Sequence, residues 1–131
     1  MEELITIHSD FSVRETIDRL TSILRVKGLT VFFRLDHAAN AAQAGLELRP
    51  TELILFGNPK AGTLLMQDRQ TSGIDLPIKA LAWEDEFGKV WLTCNNIILL
   101  AGKHNLAEKG AGILRSIEEG MKLVAYATAT K

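Results

Sequence analysis

The chain has one cysteine, Cys94, in 131 residues. A lone thiol forms no disulfide within the chain and no cysteine cluster able to hold zinc. The 3 histidines, His8, His37 and His104, are scattered, and none stands at helical ligand spacing from another. No metal site and no cofactor site is read from them. Charge of either sign is not in excess: 15 Lys+Arg against 16 Asp+Glu give a net charge of −1. That excludes a large basic nucleic-acid footprint. No apolar run approaches the ~20 residues of a membrane span. Met1-Glu2-Glu3 has neither the basic start nor the long apolar stretch of a secretory leader. Together these absences give the expectation of a cytoplasmic protein without a metal, cofactor, nucleic-acid or membrane partner.

What is present suits one globular domain over residues 1–131, with 47% hydrophobic and 24% charged residues. A chain of this size buries roughly two-thirds of its unfolded surface, enough for a core without covalent staples. Residues 3–9 alternate and predict a strand. Ser12-Val13-Arg14-Glu15 is a capping box, and Val13, Ile17, Leu20 and Leu24 recur at helical spacing. A helix over about 12–27 follows, closed by Gly28. Residues 29–36 alternate again as a second strand. Asp36 then stands where a helix cap belongs, and residues 38–44 suit a short helix ended by Gly45.

Leu53-Ile54-Leu55-Phe56 is apolar at every position and predicts a central strand buried on both faces. Asn58 and Pro59 fit the cap and first position of a short helix to about residue 67. Residues 76–84 and 89–94 read as a hairpin around Asp85-Glu86-Phe87-Gly88. That turn sets Glu84 opposite Lys89, Trp83 opposite Val90 and Trp91 opposite Ala82, so the tryptophans lie on opposite faces. Residues 97–101 suit one helical turn. Asn105 with Glu108 resembles a further cap, and Ile113, Leu114, Ile117, Met121 and Val124 form a last helix to about residue 127. Gly110, Gly112 and Gly120 weaken it by up to ~1 kcal/mol each, which delays its expected start. The fold expected is α+β in two layers: a mixed, mainly antiparallel sheet of about five strands with two main helices on one side.

Asp36-His37-Ala38, the run Gly45 to Leu53, Phe56-Gly57-Asn58-Pro59, Gly62-Thr63 with Leu65-Met66, Asp75-Leu76-Pro77 and Trp83-Glu84-Asp85 occur in an order that resembles domain-of-unknown-function family 302. The resemblance covers nearly the whole chain. It implies a two-layer α+β domain of the TATA-binding-protein-like type, commonly a homodimer, and it supplies no settled activity. The family pattern carries a tyrosine before an asparagine where this chain has Cys94-Asn95.

Polar and special-backbone residues are densest between residues 36 and 66. Gly57-Asn58-Pro59-Lys60-Ala61-Gly62-Thr63 has the outer glycine spacing of a P-loop. Thr63 replaces the phosphate lysine and Leu64 the magnesium-binding hydroxyl, so NTP chemistry is excluded. A strand opening into a helix N-terminus presents N–H groups suited to an anion, and Lys60 adds charge. Beside this stands a plain reading: a tight turn that needs Gly57 and Asn58 for geometry alone. His37 could act as a general base, or it could simply close a strand with a hydrogen bond. Met66 beside His37 suits soft metal ligation on paper, but a methionine on a short amphipathic helix belongs in the core.

The reading adopted is a small soluble domain, dimeric, binding a small and possibly anionic ligand in one pocket near residues 36–45 and 57–66. His37, Asn58, Lys60 and Thr63 are its ligand-binding residues. The alternatives are an enzyme with His37 as general base, and a dimerisation module that uses the face around Trp91.

Overall fold

The computed structural model describes residues 2–131. Its centre is a five-stranded sheet in the order β1-β5-β4-β3-β2. The strands are β1 (Leu4–Ser9), β2 (Thr30–Asp36), β3 (Thr51–Gly57), β4 (Ile78–Glu84) and β5 (Val90–Asn95). Every pairing is antiparallel. The two-layer α+β architecture is the one expected from sequence. A mixed sheet would have needed a parallel pair. β1 and β2 do run parallel, but they lie at opposite edges, so the helix between them joins strands that never meet.

Helix α1 (Val13–Val26) begins where Ser12 accepts a hydrogen bond from the Glu15 N–H, 3.1 Å. Its buried stripe is Val13, Ile17, Leu20 and Leu24. Gly28 at φ +78° turns the chain out of it. α1 crosses β3 and β4 and packs beside α5 (Glu108–Ala129). Under these helices lie Ile54 and Phe56 of β3, Ala80 and Ala82 of β4, and Val90 and Leu92 of β5, all buried. The small alanines of β4 let α1 come close over the middle of the sheet. Three shorter helices, α2 (His37–Gln43), α3 (Pro59–Asp68) and α4 (Leu100–Lys103), decorate the strand ends, with 3-10 turns at Gln70–Asp75 and Ile97–Leu99.

The last helix has no side-chain cap from its own sequence neighbours. Asn105, expected to cap it, is in the left-handed conformation at φ 54° instead. Asp68 of α3 supplies the carboxylate, accepting from the Ala107 N–H at 2.9 Å. At the other end Arg19 of α1 donates to the carbonyls of Thr128 (2.9 Å), Ala127 (2.9 Å) and Thr130 (3.3 Å). An acid at the N-terminus and a guanidinium at the C-terminus also match the helix dipole.

Neither α1 nor α5 packs on the opposite sheet face. Directly paired residues share a face, so three rows can be read from the register: Phe33–Leu55–Lys79; Leu35–Leu53–Leu81–Thr93–Thr6; and Thr51–Trp83–Trp91–His8. β3 is therefore covered on one side only. Leu53 and Leu55 are half-buried where burial on both faces was expected.

The hairpin register also differs from expectation. Trp83 pairs with Trp91, and Glu84 with Val90. The loop is one residue longer because Asp85 Oδ1 accepts from the N–H groups of both Phe87 and Lys89, each 2.9 Å, and the Asp85 N–H donates to the Lys89 carbonyl at 2.8 Å. One extra loop residue turns every side chain of β5 over. Both tryptophans consequently lie on the open face, 6.3 Å apart between ring centroids.

Candidate functional site: an apolar cavity at the end of the β2–β3 ladder

β3 ends at Gly57 and feeds α3 through Asn58. The Asn58 Oδ1 accepts from the Lys60 N–H (2.9 Å) and the Ala61 N–H (3.3 Å), the Gly62 N–H donates to the Asn58 carbonyl (2.9 Å), and Pro59 has no N–H. Thr63 Oγ1 donates back to the Pro59 carbonyl at 2.7 Å. The N–H groups of Lys60, Ala61 and Gly62, which were to hold an anion, are thus already used inside the turn. Asn58 caps the helix and Pro59 stands first in it, as their residue types predict.

Beside this turn opens a cavity of about 660 Å³. Its walls come from distant segments: Leu29 and Phe32 at the start of β2, Leu65 and Met66 on α3, Leu76 after the 3-10 turn, and Ile117 and Met121 on α5. A bulge between Val31 and Phe33 takes Phe32 out of the β2–β3 pairing. Gly57, Gly62, Gly73 and Gly120 also line the space. Residues without side chains leave it unfilled, and that is the one clue the sequence held. Each lining aliphatic residue, taken alone, reads as ordinary core.

Asn58 and Thr63 line this cavity; His37 and Lys60 do not. His37 follows Asp36, which pairs with Glu52, whereas Asn58 follows Gly57, which pairs with Thr30. The two sites lie at opposite ends of one ladder, about 17 Å apart at ~3.4 Å per residue. Antiparallel pairing therefore splits the single pocket expected near residues 36–45 and 57–66. Asp36 does cap α2, accepting from the Ala39 N–H at 2.9 Å. The depression beside α2 is lined by Ala38, Ala42, Leu46, Glu47, Leu48 and Arg49, without His37.

A polar cluster that the sequence did not reveal joins the 3-10 turn to α4. His104 Nε2 lies 2.6 Å from Asp75 Oδ2, and Nδ1 lies 3.1 Å from Thr71 Oγ1. A carboxylate only accepts, so Nε2 carries a proton and donates to Asp75. Lys103 Nζ reaches the same carboxylate at 3.0 Å. His104 first, then Lys103, holds the Asp75 carboxyl below its ordinary range. The order hydroxyl, imidazole, carboxylate resembles a nucleophile relay. Yet Thr71 is exposed, and neither cavity includes any of its members. It is a clasp between two loops.

On the open sheet face Trp91 Nε1 donates to Asp85 Oδ2 (2.9 Å) and Trp83 Nε1 donates to Thr93 Oγ1 (2.8 Å). Cys94 pairs with Ala80 and so faces the helix side; burial pushes its thiol up to about 11. Among the described residues no group of three or more His, Cys, Asp or Glu is placed to hold a metal ion, and no helix is long and apolar enough to cross a membrane.

The family described as "Domain of unknown function DUF302" matches residues 5–124. The chain belongs to this family. A crystal structure titled as an uncharacterized conserved DUF302 protein from Bacillus stearothermophilus superposes with a TM-score of 0.87, covering 98% of this chain and 99% of that one at 19% identity. That likeness concerns the fold. Curated relatives in sequence are "Fluoride-specific ion channel FluC 1" of Brucella suis biovar 1 and its namesake in Brucella abortus biovar 1, each 57% identical over 103 residues. Those residues are 79% of this chain but only 41% and 38% of the relatives, so the chain spans about two-fifths of their length.

Proposed function

We propose that this is a binding domain for a small, largely apolar molecule, held in the cavity between α3, α5 and the ends of β2 and β3. The observation that carries this reading is the cavity itself, about 660 Å³ with walls dominated by aliphatic and aromatic side chains. Sites for small ligands have this size and character. Of the four residues expected from sequence to bind a ligand, Asn58 and Thr63 line this cavity. The enzyme alternative draws no support from the geometry, because His37 borders neither of the two cavities described above. Thermal unfolding with and without a panel of apolar small molecules tests the reading. A ligand at 100 times its Kd adds about 2.7 kcal/mol. Gly120→Leu should abolish the shift, since Gly120 lines the cavity and a Cβ there meets no atom within 4 Å. Hits that survive Gly120→Leu unchanged would place the site elsewhere.

A second reading rests on the relatives. An ion channel must cross a membrane with helices or a closed barrel, and the stretch matched here has no helix able to do so among its described residues. We infer that the remaining three-fifths of the Brucella proteins holds the channel part. We infer that this chain works beside a fluoride channel, as a cytoplasmic domain that pairs with a second copy through its open sheet face. Phe33, Leu35, Leu53, Leu55, Leu81 and the two tryptophans supply an apolar surface for that pairing. Fluoride itself does not suit the cavity, where a strongly hydrated anion would find few donors. Sedimentation of wild type against Leu53→Glu checks the pairing, and an unchanged monomer would sink it. Fluoride sensitivity of cells lacking the chain checks the channel link; wild-type tolerance would count against it.

A further inference from the structure

The cavity is apolar in its body, but its charge is not neutral. Lys27 is the single ionisable residue among those lining it, and no Asp or Glu lines it. Lys27 is the residue that ends α1, where its own N–H donates to the Ile23 carbonyl at 3.1 Å, so its backbone is fixed at the edge of the cavity. It takes part in none of the ion pairs found among the described residues. Asn58 lines the same space, with its Oδ1 committed to α3, and its Nδ2 makes no hydrogen bond among the described residues. One cation, one amide donor and the Ser116 hydroxyl therefore stand at an otherwise apolar chamber.

We infer that the ligand is an amphipathic monocarboxylate, with its hydrocarbon chain in the cavity and its carboxylate held by Lys27 at the mouth. This rests on the reading of the cavity as a binding site and names the ligand class. A wholly polar anion would lose its hydration against Phe32, Leu65 and Met121 without replacement donors. A dianion would carry one charge more than Lys27 can match. A neutral hydrocarbon would leave the lysine unused, and a cationic amphiphile would be repelled by it. A single negative head on an apolar tail satisfies both parts of the site.

The test compares dodecanoate, dodecanol and dodecylammonium by titration calorimetry, each below its micelle threshold, on wild type, Lys27→Ala and Gly120→Leu. Dodecanoate should bind tightest and dodecylammonium weakest. Lys27→Ala should weaken dodecanoate about fivefold, the scale of a partly exposed ion pair, and leave dodecanol unchanged. Decanoate should bind roughly 15-fold more weakly than dodecanoate, about fourfold for each methylene lost. Gly120→Leu should weaken all three. If dodecanol equals dodecanoate, or Lys27→Ala leaves their ratio untouched, the head-group assignment is overturned while the cavity reading stands. If none of the three binds wild type, both fall together.

Discussion

A β-carbon on residue 110 would stand 2.6 Å from the Asp68 carboxylate oxygen Oδ2, the atom that accepts the Ala107 N–H. Glycine at 110 is therefore the space into which a foreign cap reaches. In most helix interiors glycine to alanine stabilises by up to ~1 kcal/mol. Here Gly110→Ala should destabilise by about 1 kcal/mol or more, because Asp68 must withdraw and a cap is lost. Asp68→Ala alone should cost about 1 kcal/mol. Urea unfolding of both singles and the double should show strong coupling, with the alanine at 110 costing less once Asp68 is gone. Additive costs would mean that the carboxylate is not what residue 110 makes room for.

Arg19 performs the matching task at the far end of α5. Its guanidinium makes three bonds to terminal carbonyls and lies 4.1 Å over the Phe11 ring. Arg19→Ala should cost about 1.5–3 kcal/mol, the range for hydrogen bonds to a charged group. Arg19→Lys should recover only part of that, since an ammonium lacks the planar fork. Equal stability of the lysine and arginine forms, read from the denaturant midpoint, would show that charge alone suffices.

The Asp75 carboxyl lies below its ordinary 3.8 because His104 donates to it, with help from Lys103 against the opposing effect of burial. A depressed folded value means that the clasp contributes fully above pH 3.8 and is lost as pH falls through that lower value. Asp75→Asn should be less stable than wild type at neutral pH. The gap should narrow on acidification below pH 3.8. Unfolding midpoints taken from pH 7 to pH 2 will show it, and a gap that stays constant across that range would refute the assignment.

Cys94 should be a poor nucleophile. With its thiol moved from 9.0 to about 11 by burial, the thiolate fraction near pH 8 falls roughly 100-fold. A disulfide-exchange reagent should label the native protein slowly and the urea-unfolded protein at the free-thiol rate. Equal rates would mean that the sulfur is open to water.

The parts of the fold legible in sequence were those fixed by local chemistry. Ser12, Gly28, Asp36, Asn58 and Pro59 each act within a few residues of themselves, and all stand where their type predicts. Periodicity gave α1 because its stripe needs one period and one face. The hairpin register departs from the local expectation by a single residue, since nothing in Asp85-Glu86-Phe87-Gly88-Lys89 announces that one carboxylate oxygen will gather two amides. The caps of α5 come from residues about 40 and 110 positions away, where no local pattern reaches. The cavity was illegible for a related reason. His37 and Asn58 are nearer in sequence but at opposite ends of a ladder, while Phe32, Leu76 and Met121 are far apart in sequence and line one space.

The borrowed caps of α5 also set when this wall of the cavity exists. The helix is held at one end by α3 and at the other by α1, and its inward face borders the cavity. Undocking α5 would forfeit the anchors and the chamber in a single event. Occupancy of the chamber and attachment of the helix are then two readings of one equilibrium: whatever fills the space tightens α5, and whatever loosens α5 empties the space.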